Sequence, residues 1–256
     1  MSKIRFQTDG AIAMIRLNRP EKLHALDEEM LAGLAAAVDA VDASRDIRVL
    51  LLGATGERAF SVGADILAWT SLEPLDMWRR WIRDGHRLFD RIAGLRQPVI
   101  AVLNGYALGG GLELALAADI RLAAETAQLG APEVGIAAIP GWGGTQRLPA
   151  LIGAGRAKQM IFSGQPISAA QAERWGLVNE ALPAETLEAR ASELAGQIAA
   201  NAPIAVQLAK QAIDGGGGNL ASTLEGIAGA LSAQSDDAAE GLASFRERRP
   251  PQYIGR

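Results

Sequence analysis

The densest group of residues that could do chemistry lies between residues 104 and 113, which read NGYALGGGLE. Its three consecutive glycines would let a ligand approach the backbone, and N–H groups that begin a helix stabilise negative charge. Glu113 follows as a carboxylate in the first predicted helical turn. A tight turn that needs glycine only for packing explains the same residues, so this segment alone does not define a site.

Two other turns carry residues of a similar kind. Residues 60–66, FSVGADI, follow a predicted strand and a polar loop. Residues 131–133, APE, supply a second carboxylate, Glu133, and the glycine-rich stretch IPGWGGTQRL follows at residues 139–148. Each of these segments is an ordinary turn when it is taken alone.

The amino-acid composition narrows the chemistry that is open to these segments. The 256 residues include 29 glycines, no cysteine and only two histidines, His24 and His86. Thiol chemistry, disulfides and thiolate metal sites are therefore excluded, and a Ser-His-Asp arrangement would have no spare histidine. Catalysis would fall to carboxylates, hydroxyls, lysine or backbone groups.

Charge and apolar patterning bear on partners and location. The formal net charge is −4 and the chain has no long run of lysine or arginine, so we expect no nucleic-acid partner. Residues 1–5 lead into alternating sequence without an apolar targeting segment, which predicts a cytoplasmic protein. The apolar stretch 98–118 contains Glu113 and the glycine triplet, so it predicts a buried strand, turn and helix rather than a membrane span.

Alternating strands and helices must position these turns. Asp9-Gly10 has the chemistry of a hairpin turn between strands near residues 4–6 and 11–17, and Asp27 can cap a helix that runs to about Ala43. Apolar periodicity predicts strands at 49–52, 99–103 and 120–123, and helices at 76–94 and 110–118. This alternation indicates a largely parallel α/β arrangement.

After residue 144 the sequence favours helices. Ser168 and Gln171 form a capping-box pattern, Pro183 precedes a helix to about residue 200, and residues 201–203 begin another. Leu177-Val178 is a short strand-like run, residues 215–218 read as a break rather than a phosphate loop, and two helical stretches end the chain. We expect an α/β core at residues 1–195 and a helical C-terminal region at 196–256, which together form one functional unit.

Taken together, in this order and at these separations, the three turns resemble those of the crotonase superfamily, also called the enoyl-CoA hydratase/isomerase family. The resemblance extends to LNRPEKLHAL at residues 17–26, SAAQAERWGLV at 168–178 and FRERRP at 245–250, so it covers nearly the whole chain. It implies a ββα spiral core with a helical C-terminal trimerisation region, acyl-CoA thioester substrates, and homotrimers or homohexamers.

The same resemblance assigns roles to residues that match the family's motifs. The backbone N–H groups of Ala64 and Gly110 would form an oxyanion hole, which suits a charge that develops on the thioester oxygen. Glu113 and Glu133 match the paired glutamates of the hydratases, and Gly141 matches a position whose backbone helps to place the water. The division of acid and base roles between the two carboxylates stays open, because coupled carboxylates can share a proton.

Coenzyme A contacts are implied along one edge of the fold. The residues concerned are Lys22, Leu23, Ala25, Ala64, Asp65, Ile66, Leu67 and Gly110. Phe245 could reach the nucleotide from the C-terminal helix, whereas Arg248 could equally be a solvated surface charge. His24 stands where the family often has asparagine, and a packing or hydrogen-bonding role is expected for it; Asp119 is also expected to be structural.

The resulting expectation is an enoyl-CoA hydratase that converts trans-2-enoyl-CoA to 3-hydroxyacyl-CoA in fatty-acid or related acyl-CoA degradation. It implies no metal and no redox cofactor, since coenzyme A is part of the substrate. One alternative is an enoyl-CoA isomerase that uses Glu133 alone. Another is a noncatalytic acyl-CoA-binding or RNA-associated relative, against which the retained Glu113 and Glu133 and the absence of a basic patch argue.

Overall fold

A β-hairpin begins the fold in the computed structural model, which describes residues 2–69, 72–215 and 219–256. Strand β1 (Ile4–Asp9) pairs antiparallel with β2 (Ile12–Leu17), and the register sets Asp9 opposite Ile12. Gly10 in the turn has a φ of +53°, a left-handed conformation that glycine adopts without a Cβ penalty. The hairpin predicted around Asp9-Gly10 is confirmed.

The larger of two sheets has six strands in the order β1-β2-β3-β5-β7-β10. The added strands are β3 (Val49–Ala54), β5 (Val99–Leu103), β7 (Ile120–Ala124) and β10 (Glu180–Leu182), and every pairing after the hairpin is parallel. Every residue of β3 and of β5 is buried. Continuous burial is expected when both faces of a parallel sheet are covered, and it explains the unbroken apolar runs in the sequence.

The smaller sheet was not predicted, and it matters most for the site. Its order is β4-β6-β8-β9, formed by β4 (Ala59–Ser61), β6 (Tyr106–Leu108), β8 (Gln128–Gly130) and β9 (Ile167–Ser168). The first three strands run parallel, and β9 pairs antiparallel with β8. Strands of two or three residues show too little alternation to be recognised in sequence, because neighbouring strands rather than local propensity hold them in place.

Helices of the first half connect the strands. They are α1 (Glu28–Ala43), α2 (Ile66–Trp69), α3 (Pro74–Asp76), a π-helical stretch (Met77–Ile82), α4 (Arg83–Ala93) and α5 (Gly110–Leu116). Asp27 caps α1 as predicted, since its Oδ1 accepts a hydrogen bond of 2.9 Å from Met30 N–H. The helix predicted at 76–94 is present, but it begins at Pro74 and includes the π-helical stretch.

The second half is helical, as predicted. It comprises α6 (Gly144–Ile152), α7 (Ala154–Ser163), α8 (Ala169–Trp175), α9 (Ala184–Ala199), α10 (Pro203–Asp214), α11 (Asn219–Ala233) and α12 (Asp236–Glu247). Ser168 caps α8 through a bond from Gln171 N–H. Of the predicted break at 215–218, residues 216–218 lie outside the described residues. The expected boundary between residues 195 and 196 falls inside α9.

The strand predicted at Leu177-Val178 is wrong. Leu177 N–H donates to Ala172 O at 2.8 Å, so the pair forms a buried turn after α8 instead of joining a sheet. Strand β10 begins three residues later, at Glu180. The apolar character of the pair reflects burial of the turn, which sequence alone does not distinguish from a short buried strand.

Two apolar clusters cover the two faces of the large sheet. On one face Leu187, Ala191 and Ala195 of α9 pack against residues of β3, β5 and β7. The other face contributes to the main core, which extends from α1 to Trp81 of the π-helical stretch and Phe89 of α4. Among the described helices, none has both the length and the apolar composition that crossing a bilayer requires.

Candidate active site

The three turns singled out in the sequence follow three neighbouring strands of the small sheet. Gly63 and Ala64 follow β4, Gly109 and Gly110 follow β6, and Glu133 follows β8. Because β4, β6 and β8 are parallel and adjacent, their carboxyl ends lie at one edge of the sheet. The structure therefore brings together segments that are separated by up to 70 residues of chain.

Close approach of backbones explains the glycines at this edge. A Cβ atom on Gly63 would lie 2.8 Å from Gly110 N, and one on Gly111 would lie 2.2 Å from Ser61 O. A Cβ atom on Gly110 would lie 2.7 Å from the ring of Trp142 and 3.4 Å from Ala64 N. Packing alone thus requires these glycines, and the same packing sets the peptides of Ala64 and Gly110 beside each other.

Two backbone N–H groups at this edge have no acceptor among the residues that the structure describes. Leu26 N–H donates to Gly63 O at 2.7 Å and Asp65 N–H donates to Leu26 O at 2.8 Å, so the ladder bonds on both sides skip Ala64 N–H. Gly110 is the first residue of α5, whose initial N–H groups have no intrahelical partner. Within the described part of the chain neither N–H donates a hydrogen bond. The pair can donate hydrogen bonds to an oxyanion that lies between them.

Glu113 is a buried carboxylate held by the backbone of another segment. Only 4% of its surface is exposed, and its Oε1 accepts hydrogen bonds from Trp142 N–H at 2.7 Å and Gly144 N–H at 2.8 Å. Burial raises the pKa of Glu113 to about 7, against the opposing effect of these donors; the charge of Glu133 adds to the rise. A carboxyl group with this pKa can both hold and release a proton near neutrality.

Glu133 approaches the glycine triplet from the other side. It begins a one-turn 3₁₀-helix (Glu133–Ile136), and its Oε1 lies 3.1 Å from the position that a Cβ atom on Gly109 would take. Its Oε2 is buried and has no hydrogen-bond partner among the described residues, and burial raises the pKa of this carboxyl group. An unpaired buried carboxylate oxygen is unusual in folded proteins and is available for proton transfer.

Trp142 closes the space behind these groups. The side chain is 2% exposed, its ring lies 5.4 Å from the ring of Trp81 and 5.3 Å from that of Phe89, and its Nε1–H donates to Trp81 O at 3.2 Å. A Cβ atom on Gly141 would lie 3.6 Å from Ile82. The π-helical stretch and α4 therefore form a wall against the loop that carries the donors to Glu113.

The residues expected to contact coenzyme A lie along the same edge. Leu23 O accepts from Val62 N–H at 3.2 Å, and Arg19 Nη1 bonds to Ala25 O at 2.9 Å and to Asp65 Oδ2 at 2.8 Å. These contacts set the turn that contains Lys22, Leu23 and Ala25 against the segment from Ala64 to Leu67. Ile66 and Leu67 are exposed, Leu67 to 79%. The structure thus leaves an accessible apolar surface beside the two free N–H groups.

Both ring nitrogens of His24 are engaged. Its Nδ1 accepts from Arg19 N–H at 3.0 Å, which assigns the proton to Nε2, and Nε2–H donates to Thr55 O at 2.8 Å. Burial lowers the pKa of His24 and favours this neutral form. The structural role expected for this residue is confirmed. His86 lies on α4, where its Nε2 is 3.4 Å from Asp90 Oδ2.

Several residues that support the site carry no signal in the sequence. Gly144 and Trp142 act on Glu113 through backbone N–H groups, which every residue type except proline carries. Asp119 is structural, as expected: its Oδ2 accepts from Val99 N–H at 2.7 Å, but its second partner, Lys210 at 2.8 Å, was not foreseen. The described residues contain no group of three or more side chains able to hold a metal ion.

Comparisons with known proteins agree with this geometry. Residues 7–256 match the family model described as enoyl-CoA hydratase/isomerase. The short-chain-enoyl-CoA hydratase of Clostridium acetobutylicum is 40% identical over 216 residues, which cover 84% of this chain and 82% of that protein. The crotonyl-CoA hydratase of Syntrophomonas wolfei is 36% identical over 256 residues, which cover 99% of this chain and 98% of that protein.

A solved structure extends the likeness to the whole fold. The crystal structure of an enoyl-CoA hydratase from Bacillus anthracis superimposes with a TM-score of 0.96 at 40% sequence identity, covering 99% of this chain and 100% of that one. The α/β fold is therefore of the crotonase type, as the sequence predicted. The chain belongs to the enoyl-CoA hydratase/isomerase family.

Proposed function

We propose that this chain is an enoyl-CoA hydratase, which adds water to trans-2-enoyl-CoA thioesters and yields 3-hydroxyacyl-CoA. The observation that carries the proposal is the presence of two carboxyl groups with raised pKa values, the buried Glu113 and the half-buried Glu133, at the sheet edge that also holds two free N–H groups. Relatives named as hydratases of short-chain enoyl-CoA and crotonyl-CoA support the same reaction.

The two free N–H groups are proposed to bind the thioester carbonyl oxygen. When water adds, a C–O bond forms at the β-carbon and the π electrons move towards the carbonyl group, so negative charge develops on its oxygen. Donors that are already fixed by the packing of Ala64 against Gly110 need no reorganisation to meet that charge. Gly110 also begins α5, whose positive dipole end acts in the same direction.

The two carboxyl groups are proposed to handle the water and the proton. One carboxylate takes a proton from the water while the water oxygen bonds to the β-carbon. A carboxylic acid delivers a proton to the α-carbon. The pKa of Glu113, about 7, keeps a carboxylic acid available near neutrality, which suits a site that needs one acid and one base; burial raises the pKa of Glu133 as well. The two groups are coupled, so the assignment of roles to Glu113 and Glu133 stays open. The backbone of Gly141 is proposed to help place the water.

Coenzyme A is proposed to lie along the turn after β2. Backbone groups of Lys22, Leu23 and Ala25 and the segment of Ala64, Asp65, Ile66 and Leu67 would contact the pantetheine and nucleotide. The contacts that join these two segments, together with the exposure of Ile66 and Leu67, support this placement. Coenzyme A is part of the substrate, and the proposed reaction needs no metal and no redox cofactor.

A homotrimer or homohexamer is proposed for the assembled enzyme, formed through the helical region at residues 196–256. Large apolar side chains are exposed on α10, α11 and α12: Ile213, Ile227, Leu231, Leu242 and Phe245. Exposed apolar groups in such number indicate a surface that a protein partner covers. We place the enzyme in the cytoplasm, in fatty-acid or related acyl-CoA degradation.

The test compares crotonyl-CoA hydration by the wild type, Glu113→Gln and Glu133→Gln, followed as loss of the ultraviolet absorbance of the conjugated thioester. Each substitution should lower kcat by about 10²–10⁴-fold, the usual contribution of a general acid or base. Glu180→Gln is the control. Glu180 lies on β10 of the large sheet and pairs with Arg190 of α9, so its replacement should leave the rate unchanged.

The same measurements separate the alternatives. A wild type that shifts a double bond without hydrating crotonyl-CoA, and that keeps this activity in Glu113→Gln, would identify an isomerase. Tight binding of acyl-CoA without turnover at any chain length would identify a noncatalytic binding protein. Either result would overturn the hydratase proposal.

A further inference from the structure

Arg147 bridges the loop that holds Glu113 to helix α4. Its Nη1 donates to Trp142 O at 3.1 Å, and its Nη2 bonds to Asp90 Oδ1. Asp90 in turn lies within 3.4 Å of His86 Nε2, one helical turn earlier. The Arg147 side chain is 19% exposed, so it is mostly enclosed between α4 and α6. No role in the reaction proposed above requires this side chain.

The peptide that Arg147 holds, between Trp142 and Gly143, lies between the two peptides whose N–H groups donate to Glu113. Trp142 presents its carbonyl to Arg147 and its N–H to Glu113 Oε1, and Gly144 N–H reaches the same oxygen. Gly143, between them, has a φ of +108°, and a Cβ atom there would lie 2.0 Å from Arg147 Nη1. The missing side chain at Gly143 therefore makes the space that the guanidinium occupies.

We propose that Arg147, anchored by Asp90, is a positioning residue that fixes the peptides of Trp142 and Gly144 so that their N–H groups hold Glu113 in its reactive orientation. The inference rests on the proposed hydratase function for its effect on rate, but the geometry it describes belongs to the free protein. Arginine suits this task because its planar fork can bond a carbonyl and a carboxylate at the same time. A lysine ammonium is a point charge on a flexible stem and lacks this fork.

Replacement of the Arg147 side chain should change the titration of Glu113. The two N–H donors lower the pKa of Glu113, while burial and the charge of Glu133 raise it. In Arg147→Met the loop loses its hydrogen-bonded connection to Asp90 of α4, and weaker donation should move the pKa of Glu113 further upward. The limb of the kcat–pH profile that Glu113 governs should move to higher pH with it, kcat should fall about tenfold and KM should stay within about twofold.

The measurement combines kinetics with ¹³C NMR of protein labelled at the glutamate carboxyl carbons, in which the Glu113 signal is assigned by its absence in Glu113→Gln. Arg147→Lys should give an intermediate midpoint, and Asp90→Ala should shift it in the same direction without altering the loop itself. Arg190→Met is the matched control: Arg190 forms a bidentate pair with Glu180 at 2.9 and 2.8 Å, and its loss should leave the titration unchanged.

The outcomes are distinct. If Arg147→Met and Asp90→Ala lower the melting temperature but leave the pH midpoint of the Glu113 titration at the wild-type value, Arg147 has only a structural role and the inference is overturned. If Arg147→Met does not fold, Asp90→Ala and Arg147→Lys decide the question by the same readout. If the wild type fails to hydrate enoyl-CoA, the proposed function fails, while the NMR titration of the free protein still supports or overturns the positioning role.

Discussion

Replacement of Glu113 by glutamine should change how the free energy of unfolding depends on pH. The pKa of this carboxyl group lies near 7 in the folded protein instead of its ordinary 4.5, chiefly because of burial. Between those values the folded state binds a proton that the unfolded state has released. Stability from this group is therefore fully present below about pH 4.5 and falls by about 1.4 kcal/mol per pH unit until about pH 7.

The glutamine side chain does not titrate, so the variant lacks this loss. The unfolding free energy of Glu113→Gln minus that of the wild type should therefore rise by about 3 kcal/mol between pH 4.5 and pH 8. Most of this rise falls between pH 5 and pH 7. The amide keeps the shape of the carboxyl group, and its Oε1 can still accept from Trp142 and Gly144. Any constant cost of the substitution cancels when two pH values are compared.

The assay is equilibrium urea unfolding at pH 5 and pH 8, followed by tryptophan fluorescence. All samples have the same protein concentration, because the proposed assembly would make stability depend on concentration. Glu180→Gln serves as the control. The hydrogen bond from Arg190 lowers the pKa of Glu180, so its contribution is complete above about pH 4.5 and is lost only in stronger acid. Its stability difference from the wild type should stay constant between pH 5 and pH 8.

A stability difference between Glu113→Gln and the wild type that does not change with pH, or that changes in favour of the wild type as pH rises, would refute the reasoning. Either result would mean that Glu113 ionises in the folded protein at or below its ordinary pKa. Glu113 would then not supply a carboxylic acid at neutral pH.

Three further substitutions test the packing of the site. Gly110→Ala would press a methyl group against the ring of Trp142, so it should cost about 1–3 kcal/mol of unfolding free energy and abolish most hydration, as melting and kinetic measurements would reveal. Trp142→Ala should cost about 3–5 kcal/mol by leaving a cavity, measurable by urea unfolding. His24→Asn should cost about 1 kcal/mol through its bonds to Arg19 and Thr55 yet retain hydration, and loss of turnover without unfolding would contradict this.

The elements that the sequence predicted well are those with strong local signals. Helix α1 has a capping aspartate and a long apolar face, and β3 and β5 are runs of buried aliphatic residues. The small sheet was missed because β4 and β6 have three residues each, and pairing between distant segments determines them. Residues 177–178 misled for the opposite reason, since burial in a turn produced the composition of a strand.

The candidate site was predicted in its side chains but not in its support. Glu113 and Glu133 stand in motifs, and the structure brings both to the edge that holds the glycine triplet. The N–H donors to Glu113 and the hydrogen bonds of Arg147 to Trp142 and Asp90 depend on how the loop before α6 folds back on α5 and α4. Sequence records which residues occupy that loop, but the direction of its peptide groups appears only in three dimensions.

The two free N–H groups at the sheet edge have a consequence for how this site can change over time. A donor that belongs to the main chain survives almost any replacement of the residue that carries it, and only proline removes it outright. Most substitutions at position 64 would thus keep the backbone N–H donor, whereas a single substitution can remove either carboxyl group. Variation among descendants of this gene should therefore alter which reaction the bound thioester undergoes more readily than whether its oxygen is held.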